Sequence, residues 1–479
     1  MVHKIIRKIN KMTAKNYIEV EDQEMIVDDI SHIKIENSET QADSDSDDVQ
    51  PQQPADPAID LSKLDALKAK LKNKDKKDVK MKKEKTLKLG FLGSGQAGSR
   101  LAETAFNLGY DAIVVNTAQQ DLKFINVPDT NKLLIGSSIG GSAKERSLGL
   151  DAAERSREEI SALVADKLAD TDVNVLTLAL GGGSGSGSAP VMVDILAATG
   201  KPLVAIVVLP LSTDDSQAKH NALEALSEFA KFAQSKKIQC IMTVDNAKIE
   251  TIFKDVSQLS FYELANKAII DPIDIFNTFS KMPSPIKSLD GMEFARILTD
   301  GGALATFGQM EVRDFKEDIA LAEAVINNLD NNLLTGSFDL QQTKYCGVLF
   351  ICNEEVLRAI PSSSISYAMS VINEKCGSPL GVYRGIYVDN DIKENVVKVY
   401  SFFSGLGLPE ERIDALKQEA KEFMSKVKVK DDQRNLTLNL DTGKNETLSA
   451  AEKVKEKIAQ KSSAFGKFST GMIDRRNKK

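Results

Sequence analysis

The sequence predicts an α/β protein: a parallel sheet, covered by helices on both faces, forms the folded middle of the chain between two polar arms. Three observations carry this. Short, wholly apolar runs alternate with stretches of helical spacing, the pattern of strands buried on both sides and crossed over by helices. Glycine clusters stand where several of those runs give way to helices. Residues 1–85 and 431–479 lack the apolar content from which a core is built.

In chain order, residues 1–85 read as a disordered acidic/basic arm. The charges from Glu19 to Asp60 are almost all acidic, with low complexity around Thr40–Pro57, and the chain turns Lys-rich from Leu61 to Lys88. Residues 86–260 form a first domain, with strands expected at Leu87–Leu92, Ala112–Val115, Val173–Leu180, Leu203–Leu209 and Gln239–Val244. Its helices are expected at Ser99–Leu108, as one long amphipathic helix over Lys144–Leu168, from about Pro190, and over Gln217–Gln234. Residues 261–285 hold a central helix, Glu263–Phe279, and a stop-and-hinge signal, Met282-Pro283-Ser284-Pro285. Residues 286–406 read as a smaller α/β domain, with strands at Tyr345–Cys352, Gly381–Val388 and Val396–Phe403 and helices at Lys316–Asn328 and Ser362–Lys375. Residues 407–430 hold a closing helix (Pro409–Lys426). Residues 431–479 form a flexible basic tail with a short helix near Leu448–Gln460, ending in Arg475, Arg476, Lys478 and Lys479.

Composition removes several function classes. With 62 Lys/Arg against 69 Asp/Glu the net charge is −7, against a chain-wide electrostatic grip on nucleic acid. The 4 cysteines form no Cys-x-x-Cys pair, so neither a disulfide framework nor structural zinc is expected, and a reducing compartment fits. The 3 histidines are scattered, and no metal-ligating cluster is expected. No apolar run approaches ~18 residues and the N-terminus lacks the apolar centre of a secretory signal. A cytoplasmic protein without a membrane span is the expectation.

The chemistry lies in the glycine loops. Gly93-Ser94-Gly95-Gln96-Ala97-Gly98 follows the first strand and opens a helix, so backbone N–H groups and the positive helix end can meet a phosphate. Alone, this motif fits a dinucleotide-binding Rossmann domain equally well. That site wants a carboxylate after the second strand, and here Asn116-Thr117 stands instead. Gly181-Gly182-Gly183-Ser184-Gly185-Ser186-Gly187 lies between a buried strand and an apolar helix, a place where a flexible linker is unexpected and a phosphate wrap is not. Gly140-Gly141-Ser142-Ala143 precedes another helix. Three such loops at one sheet edge describe a nucleoside triphosphate site, and one without the P-loop lysine.

At this point the chain resembles the tubulin/FtsZ superfamily of GTP-dependent filament proteins, over about Leu89 to Leu406. Gly181–Gly187 is similar to the family's GGGTGSG/GGGTGTG signature, with Ser184 for threonine; Gly95–Gly98 resembles the first phosphate loop of tubulin, and Val115-Asn116-Thr117 the AVNTD segment of FtsZ. The resemblance implies GTP/GDP and Mg²⁺ as cofactors and a tubulin/FtsZ-like fold, with the GTP-binding domain joined by the central helix to the second, activation domain. It implies that Asn246 of Val244-Asp245-Asn246 reads guanine, that Tyr262 and Asn266 contact the base from the central helix, and that Asp214 in Leu211–Asp215 meets the ribose. Ser288-Leu289-Asp290-Gly291-Met292-Glu293-Phe294 resembles NVDLTEF, the family's catalytic loop. Asp290 and Glu293 would then act in the site of the next subunit, completing a GTPase in a head-to-tail filament; an acidic pair stabilising a helix N-terminus is the plainer reading of the same residues.

The chain departs from the family pattern at Ala118, where an Asp near the metal is usual and Gln96 or Asp121 would have to compensate. It departs again at Ser288 for asparagine and at Ala218-Lys219 for a basic residue one place earlier. The acidic-then-basic arm, the basic end and the departures from FtsZ suggest the phage- or plasmid-type homologues that position or segregate DNA, in the cytoplasm of a bacterium or an infected host cell, with an FtsZ-like division-ring protein as the alternative and a Rossmann-type enzyme without filaments as the alternative of another class. The expected partner is a second copy of the chain, with an adaptor or nucleoprotein complex at the tails; nothing in the sequence supports direct DNA binding.

Overall fold

The structure is a computed structural model that describes residues 84–136, 140–253, 256–317, 319–330, 334 and 338–422. The arm up to residue 83 and the tail beyond 422, with its expected short helix, lie outside the described residues. All strands belong to the compact unit that ends at Glu419.

Chain order runs β1 (Leu89–Ser94), α1 (Gly95–Asn107), β2 (Asp111–Asn116), α2 (Gln119–Lys123), β3 (Lys132–Leu134), α3 (Arg146–Arg155), α4 (Arg157–Lys167), β4 (Val173–Ala179), α5 (Gly183–Ala198), β5 (Leu203–Leu209), α6 (Ser216–Gln234), β6 (Cys240–Asp245) and α7 (Asn246–Ile252). It continues with α8 (Gln258–Phe279), α9 (Gly291–Thr299), β7 (Leu304–Val312), α10 (Ala320–Asp330), β8 (Tyr345–Cys352), α11 (Glu354–Ala359), α12 (Ser362–Lys375), β9 (Gly381–Val388) and β10 (Val397–Leu406). A further helix starts at residue 410.

The strands form one 10-stranded sheet in the order β3-β2-β1-β4-β5-β6-β7-β10-β8-β9. From β3 to β7 all pairs are parallel; β10 runs antiparallel to both β7 and β8. The pairing of β6 with β7 is short, Ile241↔Leu304 and Met242↔Ala305, and the sheet passes there from its first to its second lobe. Each strand feeds two cores. In β5, Leu203, Ala205, Val207 and Leu209 face the side covered by α3–α6, while Val204, Ile206 and Val208 face the side covered by α1, α8 and α9. That two-sided burial is why β5 reads as an unbroken apolar run.

Two helices depart from the sequence expectation. The long helix expected over Lys144–Leu168 is two helices parted at Ser156, and it begins only at Arg146 because Ala143 and Lys144 hold positive φ angles of 49° and 64°. The helix expected from about Pro190 starts at Gly183, so most of the glycine run is its first turn and a half rather than a loop. Pro190 then lies inside it and supplies no N–H for the Ser186 carbonyl; Arg146 Nη2 donates to that carbonyl instead, at 3.3 Å.

α8 is bolted to the start of the sheet. Fully buried Asn277 accepts from Leu87 N–H (2.8 Å) and donates to Leu87 C=O (2.9 Å) and to Tyr110 Oη (3.1 Å). Asp274 pairs with Lys85 and accepts from Tyr110 Oη at 2.9 Å. Burial, then the Asp274 charge, pushes the Tyr110 phenol far up, so it stays a neutral donor. The four cysteines, Cys240, Cys346, Cys352 and Cys376, are buried and unpaired; burial pushes the Cys240 and Cys352 thiols up to about 12. Among the described residues no helix is long and apolar enough to cross a membrane. Asn277→Ala removes three hydrogen bonds and is expected to lower the unfolding free energy by about 2–4 kcal/mol, read from the shift of a urea midpoint.

Candidate functional site

In the parallel lobe the chain reverses direction at β1, passing to β2 and β3 on one side and to β4–β6 on the other, so loops diverge beyond the C-terminal ends of β1 and β4. Open sheets bind ligands in that crevice. The glycine loops converge there by close backbone approach. A Cβ on Gly185 would lie 3.1 Å from the carbonyl oxygens of Ser94 and Ala179; one on Gly183 would lie 2.6 Å from Ser142 Oγ, and one on Gly187 2.2 Å from the Arg146 carbonyl. Gly95 holds a φ of +71° and its Cβ position is 3.0 Å from Gly185 N, so the first glycine loop rests directly on the second.

Small hydroxyls join the loops. Ser184 Oγ lies 2.6 Å from Thr117 Oγ1 and 2.9 Å from Ser142 Oγ, drawing the ends of β2, β4 and the 140–145 loop into one rim. Gly141 N–H donates to the Thr117 carbonyl at 2.8 Å. Behind the rim, buried Asn221 of α6 donates to the carbonyls of Lys144 (2.8 Å) and Gly181 (3.1 Å). Lys144 Nζ pairs with Asp215 Oδ2 at 2.8 Å, and that hydrogen bond, helped by the Ala218 N–H, holds the Asp215 carboxyl below its usual range. In contrast to these crowded positions, Cβ atoms on Gly182 and Gly141 would meet nothing within 4 Å. The rim therefore leaves its backbone uncovered at Gly182 and Gly141, as a phosphate cradle requires.

The other residues singled out in the sequence fall as follows. Gln96 is exposed, Ala97 partly so, and Gly98 is buried with its Cβ position 2.1 Å from the Thr177 carbonyl, a packing role. Asn116 is buried and its amide is used within its own loop, donating to Asp121 (3.2 Å) and accepting from Ala118 N–H (3.2 Å). Asp214 accepts from Leu211 N–H at 2.9 Å, shaping its own turn. Lys219 turns inward to the Ser212 carbonyl at 2.8 Å. Asn246 opens α7 at the end of β6. Asp274 and Asn277 lie at the beginnings of β1 and β2, and Tyr262 stands 12 residues before Asp274, about 18 Å along the helix. Asn266, 8 residues before Asp274, stands about 12 Å along it. Tyr262 is half exposed, and neither it, Asn246 nor Asn266 makes a side-chain hydrogen bond among the described residues.

Asp290 and Glu293 lie at the opposite edge. Gly291 abuts Thr86, just before β1, with its Cβ position 2.2 Å from Thr86 Cγ2. The pair forms a capping box: Asp290 Oδ1 accepts from Glu293 N–H (2.8 Å) and Glu293 Oε2 from Asp290 N–H (3.0 Å). Buried Tyr387 fixes the preceding residue, accepting from Leu289 N–H at 2.9 Å. Reading the sequence missed Tyr387, Asn221 and the hydroxyls' mutual contact. Only Asn221 left a trace there, as a polar residue within the apolar stripe of Ala218, Ala222, Ala225 and Phe229.

Residues 88–254 match the model described as "Tubulin/FtsZ family, GTPase domain", and residues 276–417 the one described as "Tubulin/FtsZ-like protein TubZ-like, C-terminal domain". The chain belongs to the tubulin/FtsZ family. The Tubulin-like protein CetZ of Pyrococcus horikoshii is 28% identical over 346 residues, covering 70% of this chain and 90% of its own. The Tubulin-like protein TubZ of Bacillus cereus is 23% identical over 386 residues, covering 71% and 86%. A GTPγS-form protofilament of Bacillus thuringiensis serovar israelensis TubZ superposes with a TM-score of 0.65 at 17% identity, covering 74% of this chain and 96% of that one. A GTPγS-bound protofilament of CetZ2 from Haloferax volcanii gives 0.59 at 21% identity, covering 71% and 100%. The alternative of a Rossmann-type enzyme outside this family is thereby set aside, although β3-β2-β1-β4-β5-β6 is the Rossmann strand order.

Two glycine variants separate packing from binding. Gly182→Ala is expected to change stability by less than about 0.5 kcal/mol while weakening GTP binding about tenfold or more. Gly149→Ala, whose Cβ would lie 2.2 Å from the Gly183 carbonyl, is expected to lose about 1–3 kcal/mol of stability. Urea unfolding and titration with a fluorescent GTP analogue measure both.

Proposed function

We propose that this protein binds and hydrolyses GTP and assembles head to tail, each nucleotide being held by one subunit's glycine cradle and cut with the help of Asp290 and Glu293 from the next. The observation that carries the reading is polarity: the cradle and the acidic pair sit at opposite ends of the same parallel strands, about 20 Å apart, so a chain's own acidic loop cannot serve its own cradle. Stacking copies in one direction brings them together, a heterologous contact that propagates as an open filament. Exposed apolar side chains at both edges support it: Phe124, Leu134 and Tyr262 around the cradle, Ile286 and Met292 beside Asp290. The TubZ and CetZ2 relatives named above were captured as protofilaments.

In this mechanism the backbone N–H groups at the start of α5 and the positive end of its dipole hold the terminal phosphates. The capping box uses one oxygen of each carboxylate, and Asp290 is exposed, so an aimed oxygen is left to orient or deprotonate the attacking water. Tyr262 and Asn266 flank the base, and Asn246 offers it both a donor and an acceptor. Among the described residues no group of three Asp, Glu, His or Cys could hold a metal ion. Mg²⁺ would then be held chiefly through phosphate oxygens, where it would neutralise charge on the phosphates, with Asp121, which accepts from Asn116 at the end of β2, as an acidic group beside that edge. The cellular role we assign is positioning or segregation of phage or plasmid DNA in the cytoplasm through an adaptor at the tails; one related solved structure bears the description type III plasmid segregation TubZ.

Because Asp290 is also a helix cap, alanine there would lose about 1 kcal/mol of local stability, and Asp290→Asn and Glu293→Gln are the cleaner tests. Each is expected to assemble with GTP yet release phosphate about a hundredfold more slowly, giving persistent filaments by light scattering and electron microscopy. Mixing Asp290→Asn with the cradle variant Gly182→Ala, at a GTP concentration too low for the latter to bind, gives roughly a quarter of the interfaces an intact cradle and an intact acidic loop, so the mixture turns over faster than either preparation alone. Undiminished turnover per molecule on dilution, or in the Asp290→Asn protein alone, refutes the shared site.

A further inference from the structure

We infer that Arg412 is a positioning residue for guanine recognition, acting from the helix that starts at residue 410 through Asp245 onto Asn246; the inference rests on the nucleotide reading above. Asp245 ends β6 and is 6% exposed. Its Oδ1 accepts from Ala247 N–H at 3.2 Å, capping α7, and its Oδ2 accepts from Arg412 Nε at 2.9 Å. Both oxygens of one buried carboxylate are thus fixed, one by the short helix that Asn246 opens and the other by Arg412. A seven-residue helix has little stability of its own, so its first residue is aimed by its cap.

The contact belongs to a larger chain of charges. Arg412 Nη1 donates to Glu419 Oε1 at 3.3 Å, and Glu419 pairs at 3.4 Å with Lys219, which holds the Ser212 carbonyl. Arg412 and Glu419 are seven residues apart, two helical turns, and so share one stripe. That stripe spans from the segment carrying Asn246 to the loop carrying Asp214. Two positive and two negative groups, with side-chain exposures of 8–31%, balance one another, and Arg412 Nη2 remains buried without a hydrogen bond. A surface decoration would leave such groups in water; burial of this kind makes the aim of Asp245 depend on Arg412.

The test measures GTP and ATP binding to the full chain, below assembly concentration, beside a thermal melt. Arg412→Met is expected to weaken GTP about tenfold and to shrink the GTP-over-ATP preference by a similar factor, as Asn246→Ala does directly. Arg412→Lys, which reaches one carboxylate but cannot fork to both, is expected to fall between and serves if the Met variant does not fold. A folded Arg412→Met protein with unchanged affinity and preference, beside an Asn246→Ala protein that loses both, overturns the role of Arg412. If Asn246→Ala also binds GTP normally, the base site itself is misassigned.

Discussion

The constraint on which the candidate site depends is the approach of backbone to backbone at the start of α5. Gly183, Gly185 and Gly187 each leave out a Cβ that would strike another segment's backbone or hydroxyl: the 140–145 loop, the ends of β1 and β4, and the entry to α3. Since close-packed interiors absorb even one methylene poorly, only glycine lets these segments meet. The hydroxyl contacts of Ser184 with Thr117 and Ser142 exist because the glycines have first brought the chains within reach. A helix rich in glycine in its first turns is intrinsically poor. Here it forms because its remainder, Ala189 to Leu196, is buried against the sheet.

The parts of the fold that were legible were those whose signal is local. β5, β8, β9 and α12 fall at the residues expected, each being an apolar run or periodic stretch bounded by glycine, proline or polar residues. What was missed is tertiary. Seven residues of glycine and serine look like loop, and only packing makes most of them helix. β7 escaped notice because Gly308, Gln309 and Glu311 interrupt its apolar run; the glycine is there because the Asn328 carbonyl lies 2.3 Å from where its Cβ would be. At the candidate site the loops were readable as glycine clusters. The residues that brace them were not: Asn221, Tyr387 and Arg412 reach partners 40, 98 and 167 positions away.

Parallel pairing gives the first lobe a direction. Every crossover returns the chain to the same side, so all strand-to-helix loops collect at one end and the opposite end receives the returns. The glycine rim occupies the first, the capped acidic pair the second, and α8 runs between them, bolted at the far end by Asn277 and Asp274. The two ends therefore differ in chemistry as well as in position: glycine backbone and small hydroxyls at one, the reciprocally capped Asp290–Glu293 pair at the other. The sheet and α8 fix the distance between them.

Burial of all four thiols has a practical corollary. Cys240 and Cys352 titrate so high that almost no thiolate exists at neutral pH, and Cys346 and Cys376 are shifted in the same direction. Maleimide dyes, spin labels and crosslinkers attack the thiolate, so the native sulfurs are quiet toward them while the protein stays folded. A single cysteine placed on either end of the molecule would carry a probe without first stripping out the natural ones.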